Sequence, residues 1–485
     1  MMIANLKREF AFLVTLTILA CILVIDAWLF SSQPQTFDGW AHLVTMDSFA
    51  QSIRAGSLPV SWSDSVANYG YPLGQIAHQT TNYLGAVFFL ITGNIITAYN
   101  ILLTFILVST VWAMYAFLRL YVGQWPAFAG AALFNVAPYR FLNTYIRGAL
   151  PELIAPLFIL LTLIGLVVFF ERKKRIGLPI MTAGMAGLVL THPMIFFIAV
   201  PLIAGMFIWF FWKNRSNFRF VASAAVFLFA GVLIGGYYLL PLVLELKYFY
   251  QGSAQNQIGA EQYLGVKSLI TERWEYFDPT TTGIRENRLQ FGFLEFVIMF
   301  TAFVLLFLKK NFYSDRAYIA FWLGLFVLIL AMALPVSKFL YDNVPLLSSI
   351  QFPWRWLSLL QLFPPILLAL LFARIKYVKA AIFLLILFIA LVRIPQTYSK
   401  NFVLYPPERY SQTSVNIHST TMNTIWSGVT TEYPQKEVQS SIIAGDGEIE
   451  LLNYTPTKRQ YRISAKEPVR IAEYTFYFPG WEVYA

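Results

Sequence analysis

The sequence predicts an α-helical polytopic membrane protein, with about eleven transmembrane helices, the N-terminus inside, and a small C-terminal extracytoplasmic β domain. Three observations predict it. Of the 485 residues, 58% are hydrophobic and only 12% charged, where soluble chains average roughly 45–50% and about 25%. The apolar residues lie in runs of about 17–25, the length that spans a bilayer. The last stretch of the chain abandons those runs for short alternating segments separated by turn residues. A mean hydropathy of +0.60 excludes a soluble globular protein. The formal charge of +10 does not imply a nucleic-acid partner, because the basic residues form short clusters between apolar runs, where they set membrane orientation. Cys21 is the single cysteine, so neither an intrachain disulfide nor a cysteine-based metal site can form.

The first run, Phe10 to Phe30, follows Lys7 and Arg8 as a signal sequence would. It is too long for a cleavable core and lacks a small-residue cleavage site, so it reads as an uncleaved span. Further runs fall near 96–118, 125–138, 150–170, 176–192, 194–212, 218–245, 291–308, 317–334, 353–373 and 378–394. Four basic clusters, at 172–175, 213–219, 309–316 and 374–379, fall on the same side as Lys7 and Arg8, which the charge bias makes cytoplasmic. The loops 31–95 and 247–289, the segment 335–352 and everything after 395 are then outside. The chain accordingly divides into a transmembrane domain, 1–395, whose external loop 31–95 carries amphipathic helices, and an extracytoplasmic β-rich domain, 396–485. In that tail Glu448 to Leu452 and Tyr461 to Ser464 alternate, with turn signals at Ala444-Gly-Asp-Gly447 and Tyr454-Thr-Pro456. The final Pro479-Gly-Trp-Glu-Val-Tyr-Ala485 stops within an apparent strand, so the tail is expected to run on. No inverted duplication of the hydropathy pattern is visible, which weakens a transporter reading.

Acidic residues are scarce, so their location is informative. Asp38, Asp47 and Asp64 lie in the first external loop beside one basic residue, Arg54. A helix over 38–55 places Asp38, His42, Thr45, Ser48 and Ser52 on one stripe and Leu43, Met46, Phe49, Ala50 and Ile53 on the other side. Such a helix is expected to lie flat on the outer membrane surface. It holds Asp38 and His42 one turn apart, where a carboxylate could take a proton from a hydroxyl nucleophile; the plainer alternative is that Asp38 caps the helix. Asn68-Tyr-Gly-Tyr-Pro72 and His78 supply aromatic and amide groups that suit sugar faces and hydroxyls, or an interfacial aromatic belt. Tyr139-Arg-Phe-Leu-Asn143 and Arg147-Gly-Ala-Leu-Pro-Glu152 form a short external turn before a span. Pro151 and Glu152 are also what a helix start alone would select, whereas external arginines break the charge bias and favour an anionic partner. In Gln351-Phe-Pro-Trp-Arg-Trp356, Arg355 sits in a first helical turn, against the helix dipole, so an anion should offset it. Trp354 suits a pocket wall or a membrane anchor. His192 precedes Pro193 at the outer end of its span. Asp38, His42, Glu152 and His192 could ligate a divalent cation through oxygen and imidazole, but no spacing is diagnostic of a metal, and no cofactor is required.

The order of these motifs resembles that of bacterial membrane proteins of the GT-C glycosyltransferase superfamily, and within it the membrane proteins labelled "6-pyruvoyl-tetrahydropterin synthase related". Nothing in the sequence supports pterin chemistry. Phe478-Pro-Gly-Trp481 is similar to the external β domain common in such proteins. The resemblance implies a GT-C-like fold in the plasma (inner) membrane, with a polyprenyl-phosphate sugar donor used on the outer face. It also implies membrane lipid as a partner and a glycan, lipid or protein acceptor. It makes Asp38 the base, with His42 and Glu152 shaping the catalytic site. The donor phosphate falls to Arg147, Arg355 and His192, and sugar or acceptor binding to Asn68, Tyr69, Tyr71, His78 and Trp354. Gly39 and Trp40 follow Asp38, so there is no Asp-x-Asp to argue for a metal. A carrier, flippase or scaffold for lipid-linked glycans is the alternative; it would keep the arginines and aromatics without needing Asp38 as a base.

Overall fold

The computed structural model describes residues 2–64, 69–250, 262–271, 289–308, 313–396, 402–403, 423–427 and 438–484. The longer helices are, in order, α1 (Met2–Ile22), α2 (Gly39–Arg54), α3 (Gln79–Thr92), α4 (Ile95–Arg119), α5 (Gln124–Asn135), α6 (Leu150–Phe170), α7 (Gly177–Thr191), α8 (Pro193–Asn214), α9 (Phe218–Ile234), α10 (Gly236–Glu245), α11 (Phe293–Leu308), α12 (Tyr313–Ala333), α13 (Phe363–Phe372) and α14 (Val378–Phe388). The strands are β1 (Gln33–Pro34), β2 (Phe402–Val403), β3 (Ser440–Ala444), β4 (Gly447–Thr455), β5 (Lys458–Ala465) and β6 (Arg470–Glu473). Six helical stretches among the described residues are long and apolar enough to cross a membrane: Ile95–Arg119, Leu150–Phe170, Pro193–Asn214, Arg316–Ala333, Pro353–Phe372 and Val378–Gln396. Gly177–Thr191 and Phe293–Phe307 are shorter apolar helices. The run expected as one span over 218–245 is broken into α9 and α10 at Gly235. A side chain there would meet Val189 Cγ1 at 2.4 Å, so the glycine permits close packing on α7 while weakening its own helix. The run from Phe10 to Phe30 is likewise interrupted after Ile22, with a short helix at Ile25–Leu29 following.

The chain forms two compact units. The first comprises 1–39, 100–236 and 256–403. Its helices approach through small residues, which bilayer-embedded helices use in place of a hydrophobic driving force. A Cβ at Gly165 of α6 would lie 2.5 Å from Met181 N of α7, and one at Gly184 would lie 2.5 Å from Thr162 N. Phe170 stacks on Phe210 of α8 at 5.1 Å. Helix α5, rich in alanine, is buried from Pro126 to Asn135. In the same unit β1 and β2 pair antiparallel, Gln33 opposite Val403 and Pro34 opposite Phe402.

The second unit comprises 40–99, 237–255 and 404–485. Its core gathers Phe49, Val60, Trp62, Tyr71, Leu73, Phe249 and Phe478. The tail forms two antiparallel pairs, β3 with β6 and β4 with β5. Its β3–β4 and β4–β5 turns fall at the glycine and proline signals seen in the sequence. Helix α2 departs from the expected surface-lying amphipath, because both of its stripes are buried: Leu43, Met46 and Phe49 on one, Thr45, Ser48 and Ser52 on the other. The polar stripe tolerates burial because each hydroxyl donates to its own helix, Thr45 to Ala41 O at 2.9 Å, Ser48 to Val44 O at 2.9 Å and Ser52 to Ser48 O at 3.0 Å. Asn82 Oδ1 of α3 lies 2.9 Å from the same Thr45 hydroxyl, a second acceptor for its one proton.

Candidate active site

The first unit assembles a charged cluster from three parts of the chain. A short helix, Pro138–Phe141, runs into a π-helical turn, Leu142–Arg147, and ends at Gly148 with φ +71. That turn delivers Arg147 to the first turn of α6, where Glu152 is 1% exposed. Arg147 grips the carboxylate with both nitrogens, Nη1 donating to Oε2 at 2.6 Å and Nη2 to Oε1 at 2.8 Å, the bidentate geometry that makes such pairs strong. Tyr139 donates its hydroxyl to Oε2 at 2.7 Å. Arg355, on the short helix Pro353–Trp356, donates from Nε to Oε1 at 3.1 Å. His192 Nε2 stands 3.8 Å from the same oxygen.

The second guanidinium is positioned from its own turn. Gln351 adopts φ 68, a region a side chain disfavours, and its Oε1 accepts from Arg355 Nη1 at 2.9 Å beside Ile350 O at 2.8 Å. Arg355 Nη2 meets no acceptor among the described residues. Arg147 is steadied by Asn143 Oδ1 at 2.8 Å and lies 4.8 Å over the Trp354 ring. Trp354 stacks on Phe352 at 5.1 Å and donates to Gln262 Oε1 at 3.2 Å. Two buried guanidinium groups thus share one buried carboxylate, leaving a surplus positive charge.

Asp38 stands beside that surplus. The backbone fixes it there: Phe37 N–H donates to Ile146 O at 3.0 Å and Asp38 N–H to Arg147 O at 2.7 Å. The first N–H of α2, that of Gly39, is capped by Thr36 Oγ1 at 3.1 Å and not by Asp38. Among the described residues the Asp38 carboxylate accepts no hydrogen bond. The residue is exposed, yet it is hemmed by protein. Burial pushes its carboxyl up; Arg147 pulls it down, Glu152 raises it and Arg355 lowers it, and the net direction is upward.

The structure therefore brings Asp38, Arg147, Glu152, His192, Arg355 and Trp354 together. His42, Tyr69, Tyr71 and His78 belong to the second unit. There Tyr71 is a core residue, bridged to Ser63, and Tyr69 packs on Phe476 at 5.1 Å while its carbonyl accepts from Phe476 N–H at 2.8 Å. His78 precedes α3 as its N-terminal boundary residue. Asn68 lies outside the described residues. Sequence reasoning assigned no role to Tyr139, Asn143 or Gln351. The four-residue steps from Tyr139 to Asn143 to Arg147 were a usable signal, since they align on one helical face. Among the described residues no three His, Cys, Asp or Glu side chains gather as a metal-binding group.

A family model for the 6-pyruvoyl-tetrahydropterin synthase related domain, described as a membrane protein, matches residues 81–402, well over half of the chain. The protein belongs to that family of membrane proteins. No curated protein matches it in sequence. Among solved structures, the oligosaccharyltransferase of Archaeoglobus fulgidus in its apo form is similar with a TM-score of 0.45 and 14% identity, over 84% of this chain and 56% of that one. The archaeal oligosaccharyltransferase AglB from Archaeoglobus fulgidus, in complex with an inhibitory peptide and a dolichol-phosphate, gives 0.45 and 13%, with the same coverage of 84% and 56%. The Archaeoglobus fulgidus oligosaccharyltransferase with Zn and sulfate gives 0.43 and 13%, over 83% and 53%. The chain spans little more than half the length of these proteins.

Proposed function

We propose that the protein is a GT-C-type membrane glycosyltransferase that moves a sugar from a polyprenyl-phosphate donor to an acceptor hydroxyl on the extracytoplasmic face, with Asp38 as general base. The observation that carries the proposal is an accessible carboxylate, free of hydrogen bonds among the described residues, held beside two buried guanidinium groups that outnumber their shared carboxylate. Asp38 takes the proton of the acceptor hydroxyl as its oxygen attacks the anomeric carbon. The bond from that carbon to the phosphate oxygen breaks, and its electron pair passes to the phosphate. Arg355, through Nη2, and Arg147 stabilise the charge that develops there. Glu152 is fully engaged by the two arginines and Tyr139, so it serves as their anchor and not as a nucleophile. With Asp38 acting as base and Glu152 engaged, the reading is a single displacement with inversion, since retention through a covalent intermediate normally needs a nucleophile as well. His192, with Nε2 3.8 Å from Glu152 Oε1, tunes that anchor.

The test is release of polyprenyl phosphate by the purified protein from a panel of polyprenyl-phosphate sugars with candidate acceptors. Wild type is expected to release it, and Asp38→Asn to lose release while still binding donor. If no donor turns over and one binds both proteins equally, the protein is a carrier or scaffold for lipid-linked glycans.

A further inference from the structure

The second unit carries a cleft that the transfer chemistry does not use. It has a volume of about 240 Å³ and is lined chiefly by Ser61, Trp62, Gln75, Thr457, Phe478 and Trp481. It joins the start of the unit to its tail, and the Phe478-Pro-Gly-Trp481 motif forms one wall. The two indoles meet edge to face at 5.3 Å and 86°. Trp62 is held by its surroundings: its Nε1 donates to Asp64 Oδ1 at 3.1 Å, and a Cβ at Gly70 would lie only 2.3 Å from that nitrogen. Trp481 is braced by Arg459, whose guanidinium lies 4.9 Å over its ring and donates to Asp64 Oδ1 at 2.7 Å. The Gln75 amide fits its neighbours best with its nitrogen toward Ser61 O at 3.0 Å and Pro72 O at 2.8 Å, and in that orientation its oxygen is left to accept from a ligand.

These features select a ligand. The residues lining the cleft carry no charge, and the nearby Arg459 is paired with both Asp64 at 2.7 Å and Glu473 at 3.1 Å, so the lining itself selects a neutral molecule. Rigid aromatic surfaces beside an amide oxygen and two hydroxyls match a molecule with apolar C–H faces and hydroxyl edges. The volume falls below the roughly 300–1,000 Å³ of clefts that take drug-sized ligands, and suits one ring. We propose that this cleft binds a single neutral pyranose residue of a glycan. The proposal does not depend on Asp38 chemistry.

Saturation-transfer NMR on the full chain in nanodiscs tests it, with a probe panel of methyl α- and β-glycosides of glucose, galactose, mannose and N-acetylglucosamine. At least one glycoside is expected to receive saturation. Trp481→Ala should weaken it about tenfold or more, the loss of ~1.4 kcal/mol of contact, and Gln75→Ala, a substitution at a half-exposed position, by several-fold. Asp38→Asn should leave the signal in place. Absence of transfer to every glycoside overturns the proposal, as does a signal that Trp481→Ala and Gln75→Ala both leave unchanged. A signal lost in Asp38→Asn but kept in Gln75→Ala also overturns it, by locating the sugar at the charged cluster. Cleft binding in a protein that turns over no donor would sink the transferase reading alone.

Discussion

A carboxylate bound by two guanidinium groups and a phenol has no lone pair left to receive a proton, and that is the state of Glu152. Removing such a buried charge would leave two guanidinium groups without their counter-ion, a cost of about 3–5 kcal/mol for broken buried pairs. Asp38 has the opposite surroundings: its side chain is exposed and meets no donor among the described residues, and desolvation by the protein around it still raises its carboxyl. A base works only when deprotonated, so the upward shift moves the acid limb of activity to higher pH. The acid limb of kcat/KM against pH is therefore expected above the ordinary aspartate value of about 3.9, measured with donor limiting. A limb at or below that value would remove Asp38 from the role of base. The sequence made Asp38 visible because acids are so rare in it, and made Arg147 and Arg355 visible because cations outside the membrane are out of place. It could not show that Thr36, two residues earlier, takes over the capping duty that Asp38 would otherwise perform. That depends on a side-chain geometry with no sequence signature.

At the scale of elements, the site depends on one turn. Gly148 closes the π-helical segment with φ +71, where a side chain costs about 1–2 kcal/mol, and a Cβ there would lie 2.2 Å from Thr36 Oγ1. Thr36 caps α2, and the segment after it carries Asp38. Gly148→Ala should therefore push the Asp38 segment away from Arg147 without altering any reacting group. The expected result is a fall in kcat of about ten- to a hundred-fold, the penalty for a displacement near 1 Å, with donor affinity retained. An unchanged kcat would show that the turn does not set the base. The apolar runs announced most of the helices, but not the π-helical form of this turn, because a segment of six residues is too short for its period to be told from that of an α-helix. Helix α2 was legible in its existence and not in its setting. Its small hydroxyl side chains look like a solvated face in sequence, and they satisfy themselves on their own backbone once buried.

For the whole molecule, run length established the membrane class, and a glycine marks where the run over 218–245 became two helices, at Gly235. What run length cannot give is sidedness, which rests on charge. Between Lys174 and Asn453 the sequence presents seven apolar runs, an odd number, so the two residues should face opposite compartments. With Cys21→Ala removing the native thiol, Lys174→Cys and Asn453→Cys each supply a single exposed reporter. A membrane-impermeant maleimide applied to intact cells, or to spheroplasts where an outer barrier intervenes, should label position 453 and spare 174; inside-out vesicles should reverse the pattern. The outcome bears directly on chemistry. Residues 438–484 carry the proposed sugar cleft's tail wall, and a transferase using its donor on the outer face needs that wall outside. Labelling of 453 only in inside-out vesicles would put it in the cytoplasm, where nucleotide sugars are the available donors, and the polyprenyl-phosphate reading would have to give way.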